Sequence, residues 1–195
     1  TLNRLWDHAL ELLREKGLVT QPAEEVKKRL EEFFALRLRT VLQEAEIRHD
    51  VIDAVLAAGV GDPRLAVDKA RFLMERVKEE DAFKPVVEAF NRTANLGRKG
   101  DPNRGVDPSL MEEEAERLLW NAYRQAADRF EAALSRRDVA GMYRALAEMA
   151  PTIHRFFDEV FVMAEDEAVR ANRLALLRRL TDLVRRFAHF DRLAG

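Results

Sequence analysis

Residues 166–187 read DEAVRANRLALLRRLTDLVRRF, and their spacing decides the fold class. Leu176, Leu180, Leu183, Val184 and Phe187 recur every three or four residues, which gathers them on one face of a helix and leaves the charges on the other. Asp166 stands where such a helix needs an N-cap. The same period fills the preceding stretch. Asp138 caps one helix, and Pro151 breaks that run and opens another at residue 151, because proline cannot donate within a helix interior. Asp107-Pro108 reads as cap plus first-turn proline of a long helix carrying Leu110, Leu118, Leu119, Ala122, Tyr123, Ala126, Phe130 and Leu134.

Toward the N-terminus the pattern stays helical. Residues 3–16 put Leu5, Ala9, Leu12 and Leu13 on one face, and Gly17 ends that helix. A second starts near Pro22 and runs through Val26, Leu30, Phe33, Phe34, Leu38, Val41 and Leu42. Asp50 is expected to cap a short helix through Val51, Ile52, Val55 and Leu56, stopped by Gly59 and Gly61. Asp62-Pro63 opens a helix bearing Leu65, Ala66, Phe72, Leu73 and Val77. Residues 81–96 form another, with Phe83, Val86, Val87 and Phe90 inward. Period-two alternation is absent, and Thr, Ile and Tyr are scarce. The expected fold is all-α: an irregular cluster of five helices, then an up-down bundle of about four. The Gly- and Pro-rich stretch GRKGDPNRGVDPS at 97–109 marks the join. The division predicted is 1–100, a linker at 101–107, and 108–195.

The 195 residues are 47% hydrophobic and 35% charged, with no Cys, which excludes a disulfide scaffold, a Cys-type zinc site and a thiol nucleophile. No apolar run reaches the roughly 18 residues a membrane helix needs, and no signal peptide opens the chain, so a cytoplasmic location is expected. The sequence begins at Thr1 and reads as a piece of something longer. No phosphate-binding loop, dinucleotide fingerprint, nucleophile elbow or HExxH motif occurs. His8, His49 and Asp50 are residue types that a metal-dependent phosphohydrolase uses, but further ligands would have to converge and Asp50 reads as a cap. Glu46 and His49 form a single ExxH, where a di-metal bundle needs two. No metal site is expected. His154 and His189 read as boundary residues beside Phe156, Phe157 and Phe190, and Met142, Met149 and Met163 as core filling.

Net charge is −2, so local charge carries the argument. All seven Lys lie before residue 100, while residues 106–195 hold 14 Arg and no Lys. Acids gather at 158–167, before the last helix, and seven Arg follow over 170–192; the helix macrodipole accounts for the first cluster better than for the second. Two more basic groups are Arg92, Arg98, Lys99 and Arg104, and Arg37, Arg39 and Arg48. Such patches fit contact with folded RNA and equally fit a salt-bridged surface.

The stretch FFDEVFVM at 156–163, followed by DEAVRANRLALL at 166–177, resembles the C-terminal end of the β subunits of bacterial tetrameric glycyl-tRNA synthetases. That region belongs to the DALR-type anticodon-binding superfamily, shared with arginyl-tRNA synthetases. FFALRLR at 33–39, DVIDAVL at 50–56, and Arg92, Asn95 and Leu96 are similar to upstream segments of the same family, in the same order. Departures are Leu36 for Asp, Asn91 for Lys and Thr93 for Val, and the ending from His189 to Leu193 is looser than the family pattern. The resemblance covers about residues 30–195 and makes the chain look like a C-terminal fragment, with an HD-like domain upstream.

The resemblance implies a DALR-type bundle in an α2β2 synthetase. Its β subunit recognises glycine tRNA, while aminoacylation, with its ATP and magnesium, belongs to the α subunit. No cofactor or catalytic residue is then expected in this stretch. The implied partners are glycine tRNA and, through the full β subunit, the α subunit. Candidate RNA contacts are Arg92, Asn95, Arg98, Lys99, Arg170 and Arg173, with Arg37 and Arg39 as second choices. Asn172 and Arg173 equally fit a buried interhelical pair. The alternative function is a helical scaffold without RNA contact.

Overall fold

The structure is a computed structural model that describes residues 2–193. Among the described residues there is no strand and there are nine α-helices: α1 (Leu2–Glu15), α2 (Ala23–Glu44), α3 (His49–Leu56), α4 (Pro63–Val77), α5 (Glu80–Gly97), α6 (Glu114–Ser135), α7 (Val139–Ala147), α8 (Ala150–Glu159) and α9 (Glu167–Arg185). Three expected caps are in place. The Asp62, Asp138 and Asp166 carboxylates accept from the amides of Leu65, Gly141 and Ala168 at 3.1, 2.8 and 2.8 Å. Proline breaks the chain where expected, since α8 opens at Ala150 with Pro151 in its first turn.

Other local expectations are corrected. Asp50 is not a cap: α3 starts at His49 after Arg48, and Asp50 pairs with Arg48 at 2.7 Å. Asp107-Pro108 starts only a 3-10 turn, Pro108–Leu110. The long helix begins at Glu114, where the Glu116 carboxylate accepts from the Glu112 and Glu113 amides. The register of α1 is shifted by one residue. Trp6 and Leu10 are buried, whereas Leu5, Leu12 and Leu13 are exposed, because α1 meets α2 through Trp6 against Phe34 at 5.5 Å. In α2 the stripe is buried only at Leu38 and Leu42; Phe33 and Val41 face outward. Met142 and Met149 fill the core, and Met163 does not.

The core runs from Leu38 to Leu193 in one cluster and continues across the 101–107 segment. Its aromatic centre draws on both halves: Phe72 and Tyr143 lie 5.3 Å apart, and Phe90 meets Phe190 edge-on at 4.9 Å. The deepest inter-helix contact is α5 along α9, and two glycines make it possible. A Cβ on Gly97 would sit 2.8 Å from the Leu177 carbonyl oxygen, and one on Gly100 would sit 2.6 Å from that of Leu174. Only hydrogen fits there. The chain end folds back, so that the His189 amide donates to the Ala54 carbonyl at 2.9 Å.

Lys69 is buried, and its ammonium donates to the Arg186 carbonyl at 2.7 Å, at the end of α9. Burial, then the Arg186 charge, push its pKa down to about 8 from 10.5. Below pH 8 both folded and unfolded chains hold the proton, and the buried charge opposes folding. Between 8 and 10.5 the unfolded chain binds the extra proton, so stability rises with pH. Relative to a Lys69→Met variant, the parent chain is expected to gain about 2–3 kcal/mol in unfolding free energy between pH 7 and pH 10, read by urea titration.

Candidate nucleic-acid interface

Helix α5 turns Phe83, Val86, Ala89, Phe90, Thr93 and Gly97 into the core. The 3.6-residue period therefore turns Arg92, Asn95, Arg98 and Lys99 outward, and all four are exposed. The structure brings these four candidates together at the C-terminal end of one helix. Arg92 stacks over the Phe157 ring at 4.4 Å and lies 4.0 Å from Asp158, so α8 holds its guanidinium. Arg98 and Lys99 make no ion pair among the described residues. Their backbone lies between Gly97 and Gly100, both buried against α9. Arg104 is exposed in the loop beyond. That loop is fastened by Asn172, whose side chain accepts from the Asp107 amide at 2.7 Å and donates to its carbonyl at 2.9 Å.

The other candidates are placed differently. Arg173 is 5% exposed and spends its donors inside the fold, on Glu116 at 3.0 Å, on Glu112 at 3.2 Å and on the Phe161 carbonyl at 3.0 Å. It is an interior residue, not a surface contact. Arg170 is half-buried and donates to the Ala164 carbonyl at 2.8 Å, bracing the α8–α9 loop. Together the two arginines fix a loop on which Phe161 stands 74% exposed. Arg39 pairs with Asp53 at 2.6 Å, while Arg37 is exposed on α2. Helix α2 packs on α3 and α4, so this pair is separate from the α5 group.

Most of the arginines after residue 169 are structural. Arg178 pairs with Asp182, Arg185 with Asp191 and Arg186 with Glu131. Glu131 is held below the usual carboxylate range by its hydrogen bond from Arg186. Among the described residues no group of three His, Asp or Glu side chains is close enough to hold a metal ion. His8 and His49 are exposed on separate helices. His154 lies 3.0 Å from the Pro85 carbonyl, and burial, then Arg185, lowers the pKa of His189. Both are boundary residues. Sequence reasoning missed a basic groove between α6 and α7, where Arg136 and Arg144 flank the Arg129–Glu148 pair; the Arg136-Arg137 doublet was its one visible signal.

The profile of the DALR anticodon binding domain matches residues 86–188, more than half of the chain. The chain belongs to this family. The DALR match begins inside α5 and takes in α6 to α9, so it contains the exposed Arg92–Lys99 group and the glycine seat beneath it. The DALR chain is also similar to three proteins named glycine–tRNA ligase beta subunit. It is 39% identical over 182 residues to that of Halalkalibacterium halodurans, covering 93% of this chain and 26% of the relative. It is 39% identical over 193 residues to that of Shouchella clausii, covering 99% and 28%. For Listeria welshimeri the identity is 37% over 190 residues, covering 96% and 26%. The chain thus spans about a quarter of the length of the curated relatives it matches. No helix among its described residues is long and apolar enough to cross a membrane.

Proposed function

We propose that this chain binds the anticodon arm of glycine tRNA as part of a glycyl-tRNA synthetase β subunit, and so positions the tRNA for aminoacylation on the α subunit. ATP and magnesium are then used by the α subunit, and this stretch contributes binding alone. The observation that carries the reading is the α5 group: Arg98 and Lys99 stand exposed on a backbone pinned to α9, without ion-pair partners among the described residues, inside the DALR match. Unstacked loop bases are open to side chains, and cations on a fixed backbone hold the flanking phosphates.

The test is a fluorescence-anisotropy titration of glycine tRNA at several salt concentrations. Affinity is expected to fall steeply with salt, and replacing Arg98 and Lys99 by Ala is expected to flatten the log–log salt slope by about 1.4, at about 0.7 per single-stranded phosphate contact. Salt-insensitive binding, or a slope unchanged in the double variant, would overturn the reading. The scaffold alternative, which makes no RNA contact, predicts no binding at any salt concentration.

A further inference from the structure

Nine large apolar side chains are exposed among the described residues, and seven of them lie before residue 42. Their concentration there has a geometric source in α1 and α2. Trp6 meets Phe34, and the Arg14 guanidinium donates to the Gln21 carbonyl, so the two helices form an antiparallel hairpin. Asp7, Glu11, Arg14 and Lys27 line one side of the seam between them, tied by the Asp7–Lys27 pair at 2.5 Å. The 3.6-residue period places Leu5, Leu12 and Leu13 of α1, with Val26, Leu30 and Phe33 of α2, on the opposite side. The hairpin is a layer with one charged side and one apolar side. The central core begins only at Leu38, and Leu5, Leu12, Leu13 and Phe33 stay exposed. A helical layer of this kind is completed when a second layer covers its apolar side.

We propose that the apolar side of the α1–α2 hairpin is the surface on which the rest of the glycyl-tRNA synthetase β subunit packs. The proposal rests on the reading of this chain as a stretch of such a subunit, and not on which residues touch RNA. Length favours that occupant. The hairpin lies outside the DALR match, which begins at residue 86, yet the similarity to the Shouchella clausii β subunit takes in 99% of this chain and only 28% of that protein. The larger part of such a protein lies beyond the aligned stretch and is tethered to it, which raises its effective concentration above that of a free partner. Charge describes the covering surface. Arg37, one turn beyond Phe33, is exposed on the same side and makes no ion pair among the described residues. The partner surface is then apolar, with a carboxylate set opposite Arg37. A second copy of this chain fits less well, because a two-fold pairing of the face would bring two copies of Arg37 into one contact, where like charges repel.

The chain has no Cys, so single thiols placed on the two sides of the hairpin report which side is covered. Leu12→Cys, Phe33→Cys and, on the charged side, Glu11→Cys are made both in the complete β subunit carrying this chain and in the 195-residue chain alone. Maleimide labelling is followed peptide by peptide. Positions 12 and 33 are expected to react about tenfold more slowly in the complete subunit, because cover denies the reagent access to the thiolate. Position 11 is expected to react at the same rate in both. Adding Arg37→Glu is expected to recover most of the lost rate at position 33. Equal rates at positions 12 and 33 in the two proteins, or equal slowing at all three positions, overturn the proposal. So does slowing in the chain alone that grows with its concentration, which gives the face to a second copy. A rate at position 33 that Arg37→Glu leaves unchanged removes the carboxylate from the covering surface. Labelling is read without tRNA. A covered face in a subunit that fails to bind glycine tRNA overturns the RNA reading alone, and an uncovered face in one that binds overturns the docking alone.

Discussion

Replacing Arg173 by Ala is expected to lower the unfolding free energy by about 3–5 kcal/mol. The Glu116 carboxylate, 1% exposed, is met in the interior by Arg173 at 3.0 Å and by the Glu112 and Glu113 amides, which donate to it. Removing the guanidinium strands that carboxylate, and it also frees the Phe161 carbonyl on the α8–α9 loop. Removing both charges together is a different change. Arg173→Met with Glu116→Leu replaces a desolvated ion pair by apolar volume and is expected to cost far less than the single variant. Urea unfolding of the parent, the two single variants and the double variant gives the coupling directly. The salt slope for tRNA is expected to be unchanged in whichever of these variants stays folded, since Arg173 does not reach the surface. An additive double variant would remove the pair from the account of stability.

The second large effect is expected at Gly100. Its Cα sits so close to α9 that an added methyl would lie 2.6 Å from the Leu174 carbonyl oxygen and 3.0 Å from the carbon behind it. Backbone does not yield as a side-chain tip does, so Gly100→Ala must separate the end of α5 from α9, at about 1–3 kcal/mol. The same displacement moves Lys99 and Arg98. Gly100→Ala is therefore expected to weaken tRNA binding although residue 100 carries no charge. Gly105 is the control: a Cβ added there would meet nothing within 4 Å, so Gly105→Ala leaves both stability and binding near the parent's. Thermal unfolding and the anisotropy titration, run on the two variants side by side, separate these outcomes.

The helical class and most boundaries were legible because each rests on neighbouring residues. An Asp before a proline, or an apolar residue every third or fourth place, acts within a turn or two. What misled was decided at a distance. Asp107-Pro108 carries the signature of a long helix, yet Asn172, 65 positions on, grips the Asp107 backbone from both sides and ends the structure there as a single turn. In α1 two phases of the same pattern compete, and Phe34 on another helix chooses Trp6 and Leu10. The exposed face of α5 could be read from spacing alone, and four of the eight candidate contacts lie on it. Arg173 could not, because a guanidinium meant for Glu116 looks in sequence like any other cation in a basic run.

Helix α5 ends at Gly97, and Gly97 and Gly100 both press onto α9 with Arg98 and Lys99 between them. That arrangement settles when the entropy of ordering is lost. The backbone under Arg98 and Lys99 is immobilised on folding, so a phosphate bound as proposed would have only side-chain rotamers left to quench, at about 0.5–1.5 kcal/mol for each. A flexible basic loop would carry the same charge and lose far more freedom on contact. The surface is in this sense preorganised, and under the proposed function its grip on an anion would owe as much to two missing methyl groups as to the positive charges they hold in place.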